Sequence, residues 1–456
     1  MTGPLRPLLG TLVTRLLVTR LLVTGLATLA LLGGLLAPAS ASPAPAARPM
    51  PGAFTGYAFD ARCAPTQAEM DVWRRHSPFW GVGVYIGGST MACRPDPADP
   101  ASGQPHLDAT WVRRQTTAGW RVLPIWVGPQ ASCSGYADRI DAAPAGAYAA
   151  ADAQGRAEAT AAAERARALG IDPRSTLWYD LEDFDLAGDD CRRSALRFLS
   201  GWTEALHDLG HRSGVYSNIA AGIHALDNAD NLSPGSYTMP DQVWFAWANG
   251  RADTAVSAKV RKGSWAGERV HQYALDETAT YGGVTLTIDR NYLRVGGGSV
   301  APRAPRACGG VRLDRAAYPT LAKGRRGQVV RTAQCLLRKS AAYRGKVDGR
   351  FDGGVVRVVR QLQRQTGLPV TGRVDRRTWV SLLVRGEARL LKEGSAEDAV
   401  RRLQRSLVAT GARLRVTGVL DRATSRAAAT YQRRVGLTAV GVVAPDTFKA
   451  LRSGRL

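Results

Sequence analysis

Two carboxyls set two residues apart in WYDLEDF (178–184), Asp180 and Glu182, are the side chains of this sequence best suited to do chemistry. Two more stand in similar settings, Asp60 at the end of GYAFD (56–60) and Asp289 in IDRNY (288–292). Along a strand, side chains alternate with period two, so Asp180 and Glu182 share one face. Carboxyls gathered at one place repel one another when ionised, so at least one of the four should hold a raised pKa. Cleavage of a glycosidic bond needs that asymmetry, with one protonated carboxyl serving the leaving oxygen and another staying ionised. Tyr85, Trp126, Tyr216 and Trp247 are placed to stack on sugar faces, and Asn218 and Gln272 to hydrogen-bond a substrate. No CxxC occurs and no His lies at zinc-ligand spacing from a cysteine, so neither a metal nor a cofactor is expected.

Each of these residues ends, or nearly ends, a strand-like run. Eight such runs occur: 56–60, 80–87, 121–128, 176–182, 212–218, 242–249, 269–274 and 285–293. Helical patterns lie between most of them, at 66–75, 108–118, 147–169 and 191–209. Thr66 and Glu69 form a capping-box pair. Gly170 and Gly210 stand just past helix ends. Eight strands with intervening helices indicate an α/β fold, a (β/α)8 TIM barrel over 54–295, in which chemistry sits at the C-terminal ends of the strands.

The runs GYAFD, GVYIGG, GWRVLPIWVGPQASC, DAQGRAEATAAAERARALGI, YDLEDF, RFLSGWTEALHDLGHRSGVYSN and VWFAWANG together resemble the glycoside-hydrolase-like domain of unknown function 1906. That family is related in fold to the family 25 lysozymes. The resemblance spans about 54–295. It implies catalysis by the D-x-E of the fourth strand, with further Asp on strands one and eight, matching Asp180, Glu182, Asp60 and Asp289. It also implies Glu182 as general acid. Asp180 would then orient or stabilise a substrate acetamido group, or position water.

The C-terminal third repeats itself at a spacing of about 70 residues. LQRQTGLPVTGRVDRRTWVSL (362–382) matches YQRRVGLTAVGVVAPDTFKAL (431–451), pairing Gln363 with Gln432 and Trp379 with Phe448. LAKGRRGQVVRTAQCLL (321–337) matches LLKEGSAEDAVRRLQRSL (390–407). A period this long means duplicated small domains. Each reads as three helices, the third starting near Asp375 or Asp446 as N-cap. The pattern resembles peptidoglycan-binding domain 1, which implies the glycan-peptide of the cell wall as ligand.

The N-terminus carries Arg6, Arg15 and Arg20, an apolar run at 21–37 and Ala39-Ser40-Ala41, the layout of a secretory signal peptide. The expected organisation is a leader at 1–41, a Pro/Ala-rich spacer at 42–53, the barrel at 54–295 and a Gly/Pro linker at 296–307. Repeats at 308–385 and 386–456 follow. Outside the cytoplasm six cysteines suggest disulfides. Of 15 pairings, loops after adjacent strands favour Cys63–Cys93 and Cys133–Cys191. The domain division favours Cys308–Cys335. The formal charge is +23. Residues 303–456 hold 34 Lys and Arg against 10 Asp and Glu, so the excess belongs to the repeats. Such a field attracts polyanions. The expected partners are peptidoglycan and anionic wall polymers, with no nucleic acid and no stable membrane insertion once the leader is cleaved. The expected state is a monomer, secreted to the extracellular space or cell wall. The function expected is a wall-targeted glycosidase acting on peptidoglycan or a related surface glycan. The alternative is a non-catalytic wall-binding or remodelling protein with a pseudo-enzyme barrel.

Overall fold

Strands β1 (Phe54–Asp60), β2 (Gly81–Gly87), β3 (Arg121–Trp126), β4 (Thr176–Asp180), β5 (Arg212–Asn218), β6 (Gln242–Ala246), β7 (Arg269–Tyr281) and β8 (Val284–Val295) close into a barrel in sequence order. The computed structural model describes residues 48–93, 103–340 and 343–456. The expected leader lies outside the described residues. No helix among them is long and apolar enough to cross a membrane.

Among the described residues five helices follow the first five strands: α1 (Gln67–His76), α2 (Ala109–Ala118), α3 (Ala149–Ala168), α4 (Asp189–Asp208) and α5 (Gly222–Leu232). Thr66 and Glu69 form the capping box expected from their spacing, and Asp108 caps α2 through the Trp111 amide. The strand period divides the aromatics between two cores. Trp178 of β4 and Trp244 of β6 fill the barrel with Leu123, Ile125 and Leu293. Val82, Val122 and Tyr179, of opposite parity, pack under the helices. Gly83 makes room for this interior, since a Cβ there would lie 2.7 Å from the Asp60 Cβ and 2.9 Å from the Trp244 ring.

The barrel departs from eightfold β/α alternation at its closure. No helix follows β6 or β7, and β8 runs antiparallel to both β7 and β1. Gly282 and Gly283, both at positive φ, make the two-residue turn joining β7 to β8. The hairpin tip folds onto α1, where the Trp73 indole donates to the Val284 carbonyl at 3.1 Å and Tyr281 packs edge-on at 5.1 Å.

Six helices follow among the described residues: α6 (Gln328–Ser340), α7 (Gly353–Thr366), α8 (Arg376–Leu383), α9 (Asp398–Ala409), α10 (Arg422–Arg434) and α11 (Pro445–Arg452). They form two three-helix modules around one continuous apolar core that includes Trp379, Leu403, Tyr431 and Phe448. The repetition is physical as well as sequential. Gln334, Gln363, Gln404 and Gln432 are all buried, and each amide bridges a loop. Gln363, for example, donates to the Arg373 carbonyl and accepts from the Gly372 amide, both at 2.9 Å. Gln404 does the same with Val419 and Gly418. Asp375 caps α8 as expected. Asp446 does not cap α11: Ala444 holds that position and Pro445 opens the helix, leaving Asp446 in the first turn.

The second module is docked on the barrel. Lys392, 1% exposed, donates to the Phe79 carbonyl at 2.8 Å and lies 4.5 Å over the Trp80 ring. Burial, and then nearby Arg74, hold its amine well below the usual lysine range. Glu393 accepts from the Tyr292 hydroxyl at 2.7 Å, and Arg422 stacks over Tyr292 at 4.7 Å. Tyr57 and Tyr292 meet edge-on on the adjoining strands β1 and β8. The wall left without a helix is therefore covered in part by the module. The corresponding loop of the first module, 323–328, is exposed.

Candidate active site

Asp60 and Asp289 are direct cross-strand partners in the antiparallel β1–β8 pair. Opposite residues in such a pair present their side chains on one face, with Cβ atoms about 5 Å apart. Asp289 therefore does not end its strand as the sequence suggested. It sits in mid-strand, and the reversed direction of β8 brings that point level with the C-terminal end of β1. Asp180, at the end of β4, points into the same mouth in line with Trp178. Glu182 also departs from expectation. β4 ends at Asp180, and Glu182 stands in the following loop, where its amide donates to Gln130 Oε1 at 2.8 Å. A loop tether, rather than strand period, sets its position.

The four carboxyls feel one another. Burial, then Asp289, pushes Asp60 up to about 8. Burial, then Glu182 and Asp60, holds Asp180 well above the carboxylate range. Burial, then Asp183 and Asp289, raises Glu182. Burial raises Asp289 as well, but the Asp276 amide opposes it with a 2.7 Å hydrogen bond. That amide is aimed by a bulge in β7, where Asp276 adopts positive φ. Gln272 Nε2 is a second donor to Asp289, at 3.1 Å. Asp60 accepts from Asn291 Nδ2 at 2.6 Å, whose Oδ1 accepts from the Trp244 indole at 2.8 Å. Among the described residues Asp180 Oδ1 is buried without a partner. Among the described residues no acidic, His or Cys group is arranged to hold a metal ion.

Of the expected substrate-binding residues, the structure brings Tyr85, Tyr216 and Gln272 to the acids. Tyr85 and Tyr216 pack against the barrel interior, and the carboxyls raise both phenols further after burial. The Tyr216 hydroxyl donates to Gln272 Oε1 at 2.8 Å. Asn218 ends β5, but its Oδ1 is occupied by the Ala220 amide. Two tryptophans do not reach the mouth. Trp126 has the outward parity of β3, packs under the helices and donates to Glu158 of α3 at 2.5 Å. Trp247 packs beside Ile223 and Phe245 on the outer side of β6. The inward residue there is Trp244. Sequence reasoning also missed Asn291, although it lies two residues from Asp289 and so on the same face. It missed Gln130 too, for which no local signal existed, and Tyr136, 39% exposed, whose phenol is raised by burial and by Glu182 and Asp180.

The three expected disulfides are present: Cys63–Cys93, Cys133–Cys191 and Cys308–Cys335, with Cα separations of 5.3, 5.8 and 5.8 Å. The first two join loops at the rim of the mouth. Cys133–Cys191 ties the Gln130-bearing loop to the start of α4.

A barrel lined this way, followed by three-helix modules, has the build of a glycoside-hydrolase-like protein. Residues 71–293 match the Rv2525c-like, glycoside hydrolase-like domain family, and residues 326–382 match the putative peptidoglycan binding domain. The latter match covers the first module only. Three solved structures are similar to about half of the chain. An uncharacterized B. stearothermophilus protein is 20% identical, over 52% of this chain and 94% of its own, with a TM-score of 0.33. The Mycobacterium tuberculosis Tat-secreted protein Rv2525c is 15% identical, over 53% and 96%, with a TM-score of 0.35. The modular autolysin LytC from Streptococcus pneumoniae is 12% identical, over 52% and 46%, with a TM-score of 0.32. No curated protein matches the chain.

Proposed function

We propose that this protein is a secreted, wall-targeted glycosidase that cuts peptidoglycan glycan strands or a related surface glycan. The observation that carries this reading is the meeting of Asp60, Asp180, Glu182 and Asp289 at one barrel mouth, with their proton affinities raised to different degrees. Glu182, the half-buried member on a loop, serves as general acid and gives its proton to the glycosidic oxygen as the C–O bond breaks. The oxygen of a water molecule joins the anomeric carbon, and its proton passes to an ionised carboxyl of the set. Asp289, which accepts two hydrogen bonds, is best placed to stay ionised. Asp180 stabilises positive charge developing on the sugar. Tyr85, Tyr216 and Tyr136 offer ring faces, and the modules hold the enzyme on its polymer, raising local substrate concentration.

A second reading, a barrel that binds glycan without cutting it, is favoured by the burial of Asp60 and Asp180, each 3% exposed. One experiment separates the two. Purified full-length protein is incubated with peptidoglycan, and released reducing ends are measured beside the Glu182→Gln variant. The catalytic reading expects wild-type release, at least about 100-fold loss in the variant, and undiminished pelleting of the variant with the wall. Activity that survives the substitution would remove Glu182 as the acid. Pelleting without release by the wild type would establish the binding-only barrel.

A further inference from the structure

Four helix ends meet between the two modules. Lys339 lies at the end of α6, Arg385 just past α8, and Lys449 and Arg452 in the last turn of α11, with Gln365 and Thr366 at the end of α7. Together they line an open cleft of about 620 Å3 to which no carboxylate contributes. Among the described residues none of these four cations has an ion-pair partner. Arg385 Nε is buried without a hydrogen-bond partner. Burial, and then the charge of Arg452, disfavour the Arg385 guanidinium. A smaller adjoining opening shares Lys339 and Arg385 and adds Arg402, which pairs with Asp398 of the same lining at 3.5 Å but keeps a buried Nε with no partner among the described residues.

Cations at helix C-termini have an ordinary explanation, since the last carbonyls carry partial negative charge. Arg385 donates to the Ser340 carbonyl at 3.4 Å, and Arg452 donates to that of Gly386. The magnitudes leave a remainder. Each helix end carries roughly half a negative charge, so four ends offset about two of the four cations. Lys339 and Lys449 are exposed and, among the described residues, have no carbonyl partner. An uncompensated cluster of like charge, partly desolvated, is destabilising unless an anion enters it.

We infer that the inter-module cleft is a binding site for oxyanion groups, phosphate or carboxylate, of an anionic cell-wall polymer. Arg385 and Arg452 supply planar forks suited to such groups, and Lys339 and Lys449 supply point charges at the rim. The site rests on the reading that the modules face the wall, but it requires neither glycan cleavage nor retention on peptidoglycan.

The test uses the full chain and two soluble probes at physiological salt, poly(glycerol phosphate) and polygalacturonate, with affinity read by calorimetry. Lys339→Ala with Lys449→Ala is compared with Arg357→Ala with Arg433→Ala, an exposed pair of equal charge outside the cleft. Circular dichroism checks that both variants keep their fold. The cleft pair should weaken binding at least about tenfold and the control pair less than about threefold. A preference for either polymer supports the site and assigns its oxyanion, while equal affinity supports recognition of the shared group. Equal losses in the two variants would reduce the interaction to a diffuse positive field, and no binding of either polymer would eliminate the site.

Discussion

Asp60 shows what it costs to place an acid where this barrel places one. It is enclosed by protein, faces Asp289 across the strand pair and holds its proton up to about 8, against 3.8 for the free side chain. The sign of the linkage follows. The folded form binds the proton more tightly than the unfolded chain, so stability falls as pH rises from about 4 through 8, where the full penalty is reached. Asp60→Asn removes the ionisation and keeps an oxygen for Asn291. The variant should gain stability relative to wild type on going from pH 5 to pH 8, by up to about 4 kcal/mol. Urea midpoints at the two pH values measure this, and a pH-independent difference would show that Asp60 does not titrate as described. If Glu182 is the general acid proposed above, its raised proton affinity, from burial and its acidic neighbours, should place any loss of glycan release on the alkaline side of the pH profile, where its proton is gone.

At the scale of elements, small ties do the work that a larger core does elsewhere. A three-helix module of this size buries little apolar surface, so the two modules share one core and each loop is tied by a buried glutamine. In Gln363→Leu the Gly372 N–H and the Arg373 carbonyl lose their partner inside the protein. Stability should fall by about 1–3 kcal/mol, read by thermal melting, and an unchanged midpoint would mean that water replaces the amide at no cost. The β7–β8 hairpin is the other decisive element. Its reversal of the last strand puts Asp289 opposite Asp60, and its bulge aims the Asp276 amide at the same carboxylate.

For the whole molecule, the second module completes the barrel as well as extending it. Lys392 reaches the carbonyls of Trp73 and Phe79, and Glu393 and Arg422 close over Tyr292. Lys392→Ala leaves a cavity and an unpartnered carbonyl at that seam. The barrel should melt at a lower temperature and separately from the modules, with a cost of about 2–4 kcal/mol. Lys392→Met, which keeps the volume, should lose less. Differential scanning calorimetry resolves the two transitions, and a single unshifted transition in Lys392→Ala would show that the docking contributes nothing to stability.

Much of this was legible in the sequence, because it depends on local rules. Strand period and capping residues marked most barrel elements, while α5 was not marked. The repeat spacing anticipated two groups of three helices, loop adjacency paired four of the cysteines, and the domain division paired Cys308 with Cys335. The acids were recognisable because Asp and Glu beside buried strand ends are costly without a use. What required tertiary structure was decided by direction and partner. Nothing local says that β8 runs backward, so Asp289 read as a strand end when it is a mid-strand partner of Asp60. Parity was misjudged where a strand's end was misplaced, which sent Trp126 and Trp247 to the mouth in place of Trp244. Glu182 reaches the site through a hydrogen bond to Gln130, 52 residues away in sequence. The cleft between the modules exists because four helix ends converge, a juxtaposition that charge composition alone registers only as an excess of arginine and lysine.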